Sequence, residues 1–375
     1  MTDNVGVHLC IIGDQPFKIF GLSLTEWQTR NWGRAGVEGA PGVVYAAAPW
    51  VLSSGLAAAV VSNPGKALVG ASPAGQVLIA AHVESEADEE AIKALIAAPT
   101  ASDDDIRALG LEPKDAEALA GFYNKELRKR EKPFAVDLEN DGVRPAEQAL
   151  FDSSYKGVTD FVTKYAWPIP AFHVVRWCAA KKISPNTVTT ASLMFVLLAM
   201  YFFWQGDWAL GFASAWIMTF LDTVDGKLAR TTLTSSKWGN IYDHGIDLIH
   251  PPFWYFAWVK GMENTGVAIP EWMHTALLIT LFGYVFGRAV EGVFMQTHGF
   301  HIHVWGKVDS FMRVYTARRN PNGFIMMMFC IFGAPVVGFA AVTAWTVICN
   351  TFHTVRLFQA GFTKKDLPLT SWMAA

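Results

Sequence analysis

Two regimes of hydrophobic patterning divide this 375-residue chain. In the first, up to about residue 140, apolar residues come in short runs bounded by Gly, Pro or charge: His8 to Ile12, Gly42 to Ala48 and Gln76 to Val83. Such runs suit buried strands. Leu24 to Ala35 and Asp103 to Lys129 carry helical periodicity instead. Ala46 to Val61 is apolar, but it is about 16 residues long and interrupted by Pro49 and Gly55. A bilayer span needs roughly 20 residues, so this segment reads as core. The pattern predicts a soluble α/β domain over 1–140.

The second regime begins near Asn186 and is built from long apolar stretches rich in Trp, Phe and Met. Six spans are predicted, over 187–205, 208–230, 238–259, 271–292, 320–335 and 337–360. The fifth is short, and Pro321 stands where a first-turn proline is tolerated. Ahead of them, aromatics alternate with Lys164, His173, Arg176, Lys181 and Lys182. That pattern predicts interfacial helices over 155–182, with aromatic bodies buried and basic tips facing phosphates. The fold class is therefore an α-helical polytopic membrane domain over 150–365, with six transmembrane helices plus interfacial helices, behind the N-terminal soluble α/β domain.

Composition sharpens this division. Hydrophobic residues make up 52% of the chain and charged residues 17%, and acidic clusters such as Glu84 to Glu90 and Asp103 to Asp105 fall in the first part. A net charge of −3 argues against a nucleic-acid partner, which usually demands a basic footprint. Cys10, Cys178, Cys330 and Cys349 show no paired spacing, so they read as free thiols. The N-terminus shows no basic stretch followed by an apolar run, hence no cleavable signal peptide is expected. Lys181, Lys182, Lys227, Arg230, Lys237, Arg313, Arg318, Arg319, Arg356, Lys364 and Lys365 all fall on one side of the six-span arrangement, against a single Lys opposite. The positive-inside rule then places both termini and the 1–140 domain in the cytoplasm, as for a multi-pass inner-membrane protein.

Four aspartates in strongly apolar surroundings fall in one pattern, D-x2-D-G-x2-A-R-x8-G-x3-D-x3-D, running from Asp222 to Asp247. Asp222, Asp225, Gly226 and Ala229 are spaced i, i+3, i+4, i+7 and share a helix face. Gly239, Asp243 and Asp247 recur every four residues and share a face of the next helix. Ionised aspartates at membrane depth are expensive and are usually paired or metal-bound. Glycine costs a helix about 1 kcal/mol relative to alanine, so two glycines on the acidic faces suggest close approach by a ligand or backbone. Solvated loop charges are the bland alternative. The pattern favours a site for divalent cations.

The same string resembles, in every position, the signature of the CDP-alcohol phosphotransferase (phosphatidyltransferase) family, and Pro185-Asn186-Thr187-Val188-Thr189 looks like the start of that family's first span. The resemblance covers roughly 150–362 and implies a six-helix membrane fold. It implies two divalent ions, Mg²⁺ or Mn²⁺, on Asp222, Asp225 and Asp243 with Asp247 nearby, and Asp247 as the general base. Gly226, Ala229, Arg230, Gly239, Asn186 and Thr189 would hold the cytidine nucleotide, Arg230 through its planar charged fork. A CDP-alcohol is then the donor, an alcohol or alcohol phosphate the acceptor, and CMP the leaving product, with membrane lipids around a homodimer.

A narrower resemblance rests on Gly287-Arg288-Ala-Val-Glu291-Gly292, on Phe300-His-Ile-His303 and on Ala317-Arg318-Arg319-Asn320-Pro321-Asn322. It points to the subgroup with an N-terminal nucleotidyltransferase-like domain, among them the bifunctional inositol-phosphate cytidylyltransferase/di-inositol-phosphate phosphate synthases. The turn Gly13-Asp14-Gln15-Pro16 lacks the Gly-rich basic loop that cradles a triphosphate, so a degenerate domain is expected. Arg288, beside Glu291, is the candidate acceptor contact. His298, His301 and His303 read as an interfacial loop, because ligation requires convergent partners. Two other readings remain at this point: a bifunctional enzyme that also makes the CDP-alcohol from CTP, and a cation-binding transporter, for which the chain shows no internal repeat.

Overall fold

The computed structural model describes residues 8–13, 16–84, 88–124, 127–362 and 369–374. Asp14, Gln15, Ser85 to Ala87, Lys364 and Lys365 lie outside them, as does the beginning of the chain. Two compact units emerge: one from 1–155 with 176–182 and 227–234, the other from 156–175, 183–226 and 235–375.

The first unit is α/β. Strands His8–Ile12, Val43–Ala47, Gly75–Val83, Lys66–Ser72 and Glu112–Lys114 lie side by side in that order. The outer pairs are parallel and the central ones antiparallel. The three expected strands are present. Lys66–Ser72 was not foreseen, and it pairs with Gly75–Val83 as a hairpin. The segment Ala46 to Val61 is core, as its length suggested: it ends one strand, forms the strand Trp50–Leu52 and then the helix Ser54–Val61, whose Leu56, Ala57 and Val60 are fully buried. Leu24–Arg34 is helical, N-capped by Ser23. The long helix expected over Asp103 to Lys129 is a misreading. Helix Asp103–Ala108 stops at Leu109, Gly110 takes φ 74, and a strand at Glu112–Lys114 and a short helix Ala116–Leu119 follow.

The second unit is helical. Helices Pro185–Gln205, Trp208–Thr231, Lys237–Asn264, Trp272–His298, Arg319–Ile331 and Pro335–Phe362 stand where the six apolar stretches were read. Three of them, Pro185–Gln205, Trp272–His298 and Pro335–Phe362, are long and apolar enough to cross a membrane. Trp208–Thr231 and Lys237–Asn264 are long enough but carry the acidic motif. The fifth is shorter than expected: it has 13 residues and is capped at Phe332, and Gly333 turns left-handed behind it. The interfacial segment forms a π-helical turn, Val162–Ala166, and a helix, Pro168–Ala180.

Aromatic packing holds the helices together. Phe203 is fully buried and makes edge-to-face contacts with Phe212, Trp254 and Trp258, at ring separations of 4.9, 5.8 and 5.7 Å. The first and third helices approach closely because Gly261 has no side chain: a Cβ there would sit 1.9 Å from the Phe203 carbonyl oxygen. Outward faces are apolar as well, with Leu197, Tyr201, Phe253, Phe282, Val285, Ile348 and Phe358 all exposed. Such a surface suits acyl chains far better than water.

Candidate metal centre

A short connection, Thr232 to Ser236, joins the two motif helices Trp208–Thr231 and Lys237–Asn264. Ser236 caps the second of them, accepting from Gly239 N at 3.0 Å. Gly239 also leaves the space that Asn186 uses: a Cβ would lie 2.8 Å from Asn186 Oδ1. Ser184 caps the helix that begins at Pro185 and so sets Asn186 and Thr189 beside the motif.

Asp222, Asp225 and Asp243 each offer a carboxylate oxygen, and these oxygens lie within 4.8 Å of one another. Among the described residues no other His, Cys, Asp or Glu group converges in this way, and His298, His301 and His303 do not. Asp225 is the buried member, 3% exposed. Its Oδ2 accepts the Thr189 hydroxyl at 2.6 Å. Its Oδ1 is buried without a hydrogen-bond partner among the described residues. A buried carboxylate oxygen left without a donor costs free energy unless something positive reaches it. The donor set is all hard oxygen, which suits Mg²⁺ or Mn²⁺. These residues therefore fit a divalent ion.

Asp247 lies beyond the trio and has a different partner. Arg319 donates from Nη1 to Asp247 Oδ1 and from Nη2 to Asp222 Oδ2, the latter at 2.8 Å. Its Nε faces Asn320 Oδ1 at 3.3 Å, and Asn320 Nδ2 donates to Asp160 Oδ1 at 3.0 Å. In the sequence Arg319 stands out as a cytoplasmic-side charge and within the narrower resemblance, but not as a partner of the aspartates. Ala229 and Arg230 follow on the same helix, but they belong to the first unit, where Arg230 Nε donates to Ser154 O at 2.9 Å. Lys227 donates to the same carbonyl at 3.1 Å and stacks over the Tyr155 ring.

Arg288 sits in a separate polar cluster centred on Glu291. Glu291 accepts from Arg288 Nη2 at 2.7 Å and from Arg318 Nη2 at 2.5 Å, and the ring of His303 lies 3.3 Å away. His303 is thus a buried member of this polar network. Burial holds its imidazole well below the usual value, against the raising effect of Glu291. Burial, with Arg318 adding to it, also lowers the pKa of the Arg313 guanidinium, which stays charged at neutral pH.

Residues 182–356 match the sequence profile described as CDP-alcohol phosphatidyltransferase. The chain is 34% identical over 113 residues to cholinephosphotransferase 1 of Danio rerio, covering 27% of this chain and 28% of that protein. It is 35% identical over 78 residues to the archaetidylinositol phosphate synthase of Pyrococcus horikoshii, covering 21% of this chain and 42% of that one. The chain thus spans less than half the length of these relatives. Among solved structures, Mycobacterium tuberculosis phosphatidylinositol phosphate synthase, with manganese and citrate, aligns over 50% of this chain and 88% of its own at 16% identity and TM-score 0.39. The same protein with CDP-DAG bound aligns over 52% and 98% at 16% identity and TM-score 0.40. The matched segment, 182–356, contains the whole aspartate motif from Asp222 to Asp247.

Proposed function

We propose that the protein is an integral-membrane CDP-alcohol phosphotransferase, moving a phospho-alcohol from a CDP-alcohol to an acceptor hydroxyl with release of CMP. The observation that carries this reading is the convergence of Asp222, Asp225 and Asp243, with one Asp225 oxygen buried and without a hydrogen-bond partner among the described residues. Two relatives, a cholinephosphotransferase and an archaetidylinositol phosphate synthase, are named for phosphoryl-group chemistry of this kind. Asp222, Asp225 and Asp243 would hold the divalent ions, which would supply positive charge to offset that developing on the donor's phosphate oxygens. Thr189 orients Asp225, and Gly226 and Gly239 leave room for the cytidine nucleotide beside Asn186, with Ala229 and Arg230 next along the helix. Asp247 takes the proton of the acceptor hydroxyl as that oxygen attacks the phosphorus distal to cytidine. Arg288 is proposed to face the acceptor.

In this reading all six helices cross the bilayer, with both termini and the 1–140 domain cytoplasmic, in a homodimer. The 1–140 domain is read as nucleotidyltransferase-like but degenerate. One assay tests the whole: purified protein should release CMP from a CDP-alcohol and an acceptor with Mg²⁺ or Mn²⁺ and stop in excess chelator. CTP with alcohol phosphates should yield no pyrophosphate. Undiminished turnover in chelator would sink the metal assignment, and pyrophosphate release would sink the degenerate domain.

A further inference from the structure

We propose that Arg319 is a built-in counter-cation of the acidic site, which holds Asp222 and Asp247 together when no metal is bound and competes with metal for them. The inference rests on the metal reading above and goes beyond it.

Four aspartates crowd this part of the unit, and three of them converge within 4.8 Å. Like charges at such range repel strongly where water is scarce. Arg319 answers this with both ends of its fork, one on Asp222 and one on Asp247. A guanidinium keeps its charge in any accessible pH, so this compensation cannot be lost by deprotonation. The arginine is not a loose surface side chain. It is the first residue of the helix Arg319–Ile331, its own side chain is 13% exposed, and the adjacent Asn320 is tied to Asp160.

The pairing is unequal in a telling way. Asp222 is shared between Arg319 and the converging trio, whereas Asp225 Oδ1 has no hydrogen-bond partner among the described residues. Arg319 therefore neutralises one side of the site and leaves the other to an ion. An ion that takes Asp222 with Asp225 and Asp243 must draw Asp222 away from the arginine or share it. In either case the positive guanidinium opposes binding. The charge that stabilises the metal-free protein thus weakens its metal affinity, and metal binding turns Arg319 from a carboxylate partner into a donor available to phosphate oxygens.

The test is Mn²⁺ binding, with no substrate present, to the full-length chain in detergent or nanodiscs, read from free-Mn²⁺ electron paramagnetic resonance. Arg319→Gln should bind Mn²⁺ on the order of tenfold more tightly than the parent, since a unit charge within a few ångströms has been removed. Its melting temperature without metal should fall, and saturating Mn²⁺ should raise that temperature by more than it does in the parent. Should Arg319→Gln fail to fold, Arg319→Lys carries the test. Its ammonium cannot bridge both carboxylates as the fork does, so Mn²⁺ should bind a few-fold more tightly than in the parent. Parent-like or weaker Mn²⁺ binding in whichever folded variant is measured overturns the proposal. Absence of Mn²⁺ binding in the parent and variants alike would overturn the metal reading itself, a result distinct from the first.

Discussion

Three carboxylates whose oxygens lie within 4.8 Å of one another would push apart unless positive charge joined them. The residues have unequal tasks. Asp243 belongs to the converging trio, and Asp247 lies outside it against Arg319. Asp243→Asn should therefore weaken Mn²⁺ binding and CMP release together. Asp247→Asn should leave Mn²⁺ affinity nearly intact and slow turnover by roughly 10²–10⁴-fold, the usual range for a lost general base. Equal loss of Mn²⁺ binding in the two variants would make Asp247 a ligand only. At this scale the trio was legible in the sequence, because helical spacing and a short connection leave two acidic faces little choice but to meet. Arg319 was not. It lies 72 residues beyond Asp247, and its basic neighbours fit the loop-charge rule well enough to hide a second role.

Among elements, regular patterns read true and interrupted ones did not. The strands His8–Ile12, Val43–Ala47 and Gly75–Val83 were visible as bounded apolar runs. Lys66–Ser72 was not, since Ala67, Gly70 and Ala71 give little β signal and its pairing with a neighbour decides its state. The segment after Asp103 looked helical from its periodicity, yet Gly110 and Pro113 divide it. Helix contacts offer a sharper test. Alanine at Gly261 would place its Cβ against the Phe203 carbonyl, backbone against which no side chain can yield. Gly261→Ala should destabilise the helical unit by about 1–3 kcal/mol, the range for overpacking. Thermal unfolding at the parent temperature would show that the two helices separate at no cost.

The division of the molecule into a sheet-bearing unit and a helical one was foreseen, because hydrophobic period and run length change sharply near Asn186. Which helices cross the membrane was less legible: charge within the motif helices lowers their apolarity just where function needs it. The proposed topology can be mapped by impermeant thiol labelling. Ala268 and Lys307 are both exposed, whereas Asp309 is buried against Arg356 at 2.6 Å and would be a poor probe site. Ala268→Cys and Lys307→Cys should label from opposite faces, Lys307→Cys from the cytoplasmic one. Same-face labelling would remove at least one span and the placement of the motif helices with it.

The short fifth helix has a further consequence. Its 13 residues extend about 20 Å at the α-helical rise, and Ile331 and Phe332 at its far end stand exposed. A typical hydrocarbon core is about 30 Å thick. In the proposed topology the turn at Gly333 would end well short of the opposite headgroups, so the surrounding lipid must dimple inward or the helix must be dragged deeper. Deeper placement would pull Arg319, at its near end, out of reach of Asp222. Acyl-chain length thereby becomes a mechanical input to the site. Turnover in vesicles of graded phosphatidylcholine chain length should peak in the thinner bilayers, and a profile flat with thickness would show that the lipid exerts no such strain.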